Sequence, residues 1–332
     1  MLITKERGVA LVLALAVIAL LVSLVVDFSY TMMVDLTLAA NLRDEQKAFY
    51  VARSGVELAR HLLQEDTNEY DGLDEDWALL PEHPGFLSED DEGRFKVTIE
   101  DEAGKFPINK LVSGEQGQQK VVEERRDQLK RLFEVLELDP ELVYSIIDWL
   151  DSDNEAQTIG VGAEDAYYQG LPSPYPCKNG PLDSLDELLL VKGMTKEILY
   201  GTDEKKGLIH FLTLYSNTDI AGNVKVNINT ASAEVIYSLS PDIEQNQAQA
   251  IVDHLKEKPL TGKEPTEWDN VIRFLIGGST TTSDYLKGQC VIKSSYFSLH
   301  VEGRVRDIKK VIYTVLQRDK DKVIKPVFWR IE

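Results

Sequence analysis

Only two cysteines, Cys177 and Cys290, occur in 332 residues, too few for a disulfide-dense scaffold or a cysteine-rich zinc site. Histidine is sparse too, at five residues. His61, His83, His210, His254 and His300 stand far apart and nowhere form an HExxH pair. GxSxG, P-loop and GxGxxG patterns are missing too, so no enzyme class that these motifs mark finds support. Positive charge is short overall: 36 Lys and Arg face 56 Asp and Glu, a net charge of −20. A surface of that sign repels phosphate backbones and disfavours nucleic acid as a partner. Residues 62–93 hold twelve acids and no Lys or Arg, and residues 132–177 hold ten acids and again no base. The tail, residues 286–332, reverses this with eleven bases against five acids.

What remains is ordinary for a folded chain. Hydrophobic residues make up 43% and charged residues 28%, and the length suits about two domains. That composition excludes a disordered chain, a collagen-like repeat and a polytopic membrane protein. One long apolar run is present. Residues 9–26 carry no charge, with Ser23 as the one polar interruption. At 1.5 Å per residue these 18 residues span about 27 Å, enough to cross a bilayer core. Lys5 and Arg7 precede the run and Asp27 follows it, so the bulk of the chain is expected outside the cytoplasm. A removable secretory signal has a shorter apolar region ending at a small-residue cleavage site, and none follows Val26. The run continues instead into a helical pattern through Val34, Leu38, Leu42, Phe49, Val56 and Leu63. A single helix over residues 9–66 is expected.

Beyond it, residues 94–99 alternate, with Phe95, Val97 and Ile99 on one face and Arg94, Lys96 and Thr98 on the other, as in a half-buried strand. Matching patterns return at Phe297, Leu299, Val301 and Val305, at residues 309–317, and at residues 323–331, with a bend expected at Gly303 to Asp307. Four antiparallel strands would close a small sheet on the N-terminal helix, an α+β arrangement built from residues 67–110 and 285–332. Residues 111–284 then form an insertion that reads as helical, with helices over residues 123–138, 141–150, 182–191, 231–239 and 248–257. Two pieces, residues 188–194 and 227–256, resemble helix-hairpin-helix units, and Thr230 is the expected cap of the helix that starts at Ala231. A membrane-anchored DNA receptor is therefore an alternative reading. Its hairpin reads Ser240-Pro241-Asp242-Ile243-Glu244, with two carboxylates and no base, which is the wrong chemistry for phosphate.

The leader Lys5-Glu6-Arg7-Gly8, followed by Val9-Ala10-Leu11, resembles the signal of type IV pilins and type II secretion pseudopilins. That resemblance implies cleavage between Gly8 and Val9 by a prepilin peptidase, leaving a leader of residues 1–8, and N-methylation of the new terminus. Most such proteins have Phe first and Glu fifth in the mature chain; here Val9 and Leu13 stand there. Three further segments appear in order: Asp101-Glu102-Ala103-Gly104-Lys105-Phe106-Pro107-Ile108-Asn109, then Ile147 through Glu155 with Ala163 through Tyr168, then Val226-Asn227-Ile228-Asn229-Thr230-Ala231. Together they are similar to the protein K family of minor pseudopilins. The resemblance implies a pilin core with a large helical insertion, anchored in the inner membrane by one span with its bulk in the periplasm. The implied partners are the minor pseudopilins of types I and J, the major pseudopilin and the inner-membrane assembly platform. A subunit with Leu13 in place of the usual Glu cannot pair with the amine of a subunit ahead of it, which fits a fibre cap.

Asp151, Asp153 and Glu155 alternate at a helix end, with Glu164 and Asp165 following. Hard cations take six to eight oxygen ligands, which loop carboxylates supply; the same acids also suit a solvated helix end. Ala156 stands where an EF-hand needs Gly. The family resemblance implies calcium on these five residues. Cys177 and Cys290 face an oxidising compartment under this topology, as a disulfide or as two thiols.

Overall fold

The computed structural model describes residues 3–80, 93–114, 120–158, 160–218, 224–264 and 266–332, with side chains from Val9 onward. Helix α1 runs over Ile3–Glu65, about 95 Å end to end at the usual rise. Its first half stands free, with the apolar residues of the 9–26 run exposed. From Asp44 onward the helix buries one stripe, Asp44, Ala48, Ala52, Val56, Ala59 and Leu63, spaced three and four apart as a helix face requires. Three of the six are alanine, which lets a sheet approach closely there.

That sheet has four antiparallel strands. Strand β1 (Arg94–Asp101) lies at one edge, and the insertion follows it. The described helices of the insertion include α2 (Glu123–Val135), α3 (Leu142–Leu150), α4 (Asp165–Gln169), α5 (Ala233–Leu239), α6 (Gln245–Glu257) and α7 (Thr280–Gln289). Strand β2 (Val224–Asn227) precedes α5. The chain then returns as β3 (Tyr296–Val305), β4 (Ile308–Arg318) and β5 (Ile324–Ile331), in sheet order β1-β3-β4-β5. Gly303 lies at the contact with α1; a Cβ there would sit 2.4 Å from the Ala48 carbonyl and 2.5 Å from the Ala52 nitrogen. No side chain fits at that approach. The bend expected at Gly303 to Asp307 narrows to Arg306 and Asp307, with Arg306 in the left-handed region at φ 53°.

The hydrophobic residues form two separate cores. One joins α1 to the sheet through Ala52, Val56, Leu63, Val97, Phe297, Leu299, Val301 and Ile312, with Trp77 packed edge-on against Phe297. The other fills the insertion, around Phe106, Leu129, Phe133, Ile146, Trp149, Tyr168, Ile236 and Ile251. The α+β class and the split sheet agree with the sequence reading. Two details do not. Residues 185–190 are a 3-10 helix capped by Ser184 and Glu187 rather than an α-helix over 182–191. Ser232, not Thr230, caps α5 by accepting the Val235 N–H.

Candidate metal-binding loop and the joint between the two cores

Helix α3 ends at Leu150 with Asp151 as its C-cap, and the loop behind it is folded back by the Asp148 carboxylate. Asp148 is fully buried and accepts the Gln157 N–H at 2.9 Å and the Ala163 N–H at 2.7 Å. Lys192 holds the far side of the loop through the carbonyls of Gly160, Val161 and Gly162 at 3.0–3.3 Å. This folding brings Asp151, Asp153 and Glu164 together, with one carboxylate oxygen from each within 4.8 Å of the others. Asp151 and Glu164 are buried, and Asp153 is exposed at the mouth.

The group is short of partners. Gln157 donates its side-chain amide to Asp151 Oδ2 at 3.1 Å, but Asp151 Oδ1 and both oxygens of Glu164 are buried with no hydrogen bond. Burial pushes the Asp151 carboxyl up to about 7, and the charges of Asp153 and Asp148 add to the effect. Glu164 rises to about 8 by burial first, then by repulsion from Asp148, Asp151, Asp153 and Asp165. Three acids are thus held at close range, and among the described residues no Lys or Arg forms a salt bridge with them.

Of the five residues expected to hold metal, the structure brings three together. Glu155 is exposed and lies outside that group, and its backbone N–H donates to Asp153 Oδ1 at 2.8 Å. Asp165 accepts the Cys177 N–H at 3.0 Å through Oδ1, which ties α4 to the Cys177 segment, and lies outside the three-acid group. Sequence reasoning missed Asp148, although it lies in the quoted Ile147-Asp148-Trp149 run; a polar residue at a fully apolar helical position was the available signal. It also missed Asn179, whose Oδ1 is buried without a partner while its amide nitrogen reaches the Asp153 carbonyl at 3.3 Å. Both cysteines are buried thiols, unbridged.

A second acid group, Asp66, Asp71 and Glu75, has a different character. Arg318 reaches Asp66 at 2.9 Å and also pairs with Asp71. Lys293 meets Asp66 at 2.7 Å, and Glu75 accepts from Asn68, Gly72 and Trp77. Protein cations and donors already satisfy these acids. They belong to the joint between the two cores, where two of the sequence motifs meet. Asp101, at the end of β1, accepts from Ser294 Oγ and Thr230 Oγ1 at 2.6 Å and from the Asn227 amide at 2.9 Å. Asn227 also donates to the Asp71 carbonyl at 3.1 Å. The Asn-rich turn after β2 is therefore an internal clamp, which leaves the helix-hairpin-helix resemblance without an anion-binding turn here.

At the other end of the molecule, Gly8 is helical in backbone and its surroundings lie outside the described residues, while Val9 is exposed. Helix α1 is long and apolar enough to cross a membrane.

Residues 104–201 match a family model described as type II secretion system (T2SS), protein K, and residues 226–276 match a second model of the same description. Both matches are to the type II secretion system protein K family, which the chain resembles over those residues. Type II secretion system protein K of Pseudomonas aeruginosa is 28% identical over 96% of this chain and 91% of its own length. The Aeromonas hydrophila protein of that name is 27% identical over 96% and 94%. In fold, the chain is similar to one in the crystal structure of the GspK-GspI-GspJ complex from enterotoxigenic Escherichia coli. The TM-score is 0.67 at 20% identity, covering 89% of this chain and 99% of that one.

Proposed function

We propose that this chain is the minor pseudopilin that caps a periplasmic type II secretion pseudopilus. The observation that carries the reading is the shape of the subunit: a half-free helix of 63 residues on a four-stranded sheet, with a second core inserted between the first two strands of that sheet. A pilin-like helix lets the subunit join a helical bundle. The inserted core adds bulk where another subunit would otherwise stack. Leu13 supports the same direction, because it offers no carboxylate to the amine of a subunit placed ahead. The partners in this reading are the minor pseudopilins of types I and J, then the major pseudopilin and the inner-membrane assembly platform. The role is structural rather than catalytic, and the anchor sits in the inner membrane. Mass spectrometry of the mature N-terminus, with and without prepilin peptidase, tests the first step. A chain beginning at Val9 only when the peptidase is present fits; one beginning at Met1, or lacking the whole apolar run, does not.

The acid loop is proposed to hold calcium. Asp151, Asp153 and Glu164 would ligate it, supported by the unpartnered oxygens of Asp151 and Glu164. Bound calcium would supply the positive charge that the loop lacks, and mass action would then stabilise the folded insertion. A melting temperature unmoved by calcium or by EDTA would leave a solvated acid cluster instead.

A further inference from the structure

The two edges of the sheet are built differently. Strand β1 carries Arg94 and Lys96 on its exposed positions, the usual guard against pairing with another chain. Strand β5, at the opposite edge, is exposed from Lys325 to its end and shows Val327, Phe328, Trp329 and Ile331 with 40–47% of their surfaces open. Strand β5 also carries Lys325, Pro326 and Arg330, but Arg330 is paired with Glu332 at 3.0 Å, and four large apolar residues lie open beside these guards.

The backbone is open as well. Val311 and Glu332 exchange both N–H···O bonds, at 3.0 and 2.9 Å. In an antiparallel ladder alternate pairs then face each other, so the intervening Ile312–Ile331 and Thr314–Trp329 pairs are the non-bonded ones. Trp329 and Ile331 therefore turn their N–H and C=O groups outward. Their side chains share the face of Ile312, which packs under α1. Helix α1 crosses β1, β3 and β4 and barely reaches β5, so this strip lies uncovered beside it among the described residues.

We infer that the β5 edge receives an extended segment of a neighbouring minor pseudopilin by strand addition, with apolar residues alternating along it and acids at its flanks. Two observations select that occupant. The end of β5 lies beside Glu45 of α1, which pairs with Lys310 at 2.5 Å; that level is about 28 Å of helix beyond Val26, out of reach of lipid. Within β5 itself the charged residues, Lys325 and Arg330, are both basic in a molecule of net charge −20, with Glu332 at the strand's end pairing with Arg330. A second copy would bring the same −20 with it, whereas an acid-flanked strand complements the edge. Outward amides then give affinity, and the side-chain strip gives choice of partner.

This inference rests on the pseudopilin reading, and the two fail in different ways. The full chain in detergent is mixed with the type I and type J minor pseudopilins of its own system, and amide hydrogen exchange is followed at Trp329 and Ile331. Slowing of about tenfold or more at both amides on capture supports strand addition. Ile331→Pro removes an outward N–H while leaving the β4–β5 ladder intact, and should weaken capture by about tenfold, one hydrogen bond's worth. Capture with unchanged exchange at both amides overturns the edge assignment and leaves the assembly reading standing. No capture at all overturns both. Protection that appears in the chain alone and grows with its concentration means self-association, and also overturns the proposal.

Discussion

At the scale of single residues, the acid loop reports on the proposed ion through its charge. Asp151 and Glu164 have their carboxyls raised to about 7 and about 8. The folded state therefore holds protons that the unfolded state releases, so without calcium these groups favour folding at low pH. That contribution is lost as pH rises from about 4 through 7 to 8. Calcium-free protein should melt higher at pH 5.5 than at pH 8, and added calcium should reverse the order, because the ligands must lose their protons to bind it. Thermal melts at the two pH values, with EDTA or calcium, check both signs. Glu164→Gln should raise calcium-free stability at pH 8 by about 1–2 kcal/mol, since it removes a buried, unpaired charge. The same variant should lose the response to calcium, measured by calorimetry. The acid-rich character of this loop was legible in sequence from the alternation of Asp151 and Asp153 before Glu164. Which of the five acids the fold draws together was not, because it depends on which way each loop residue turns. Glu155 gives its N–H to Asp153, and Asp165 accepts from Cys177.

At the scale of elements, the contact of α1 with the sheet and the joint between the cores carry the fold. The period-two strands and the long apolar helix were readable because their patterns are local. The joint was not, since Asp101, Asn227 and Ser294 lie more than sixty residues apart and meet only in the folded chain. The Asn227-to-Thr230 turn looked like a helix cap for that reason, and Ser232 took the capping role. Asn227→Ala removes donors to Asp101, to Ser294 Oγ and to the Asp71 carbonyl. It leaves the buried Asp101 carboxylate less satisfied, and should cost about 2–4 kcal/mol in chemical denaturation. Gly303→Ala places a Cβ against the backbone of α1, and overpacking of that kind should cost about 1–3 kcal/mol or more. Far-ultraviolet circular dichroism on melting should show both variants weakened, with helix content retained at low temperature.

At the scale of the whole molecule, charge and shape point the same way. An acidic body of net charge −20 suits a protein that docks on other proteins rather than on nucleic acid. The exposed apolar half of α1 suits a lipid bilayer first and a helical bundle afterwards. Leu13→Glu would place a carboxylate in the first third of the span, about 6 Å in from Val9, at a cost below the roughly 2.5–3.5 kcal/mol of the helix centre unless it is paired. A cap has no subunit ahead to supply the amine, so this variant should lower fibre initiation, counted as pseudopili per cell, without lengthening fibres. The central claim, that the inserted core closes the fibre, is tested most directly by labelling that core on assembled pseudopili and imaging where the label lies. The account predicts one label at one end of each fibre. Label distributed along the fibre length would contradict it.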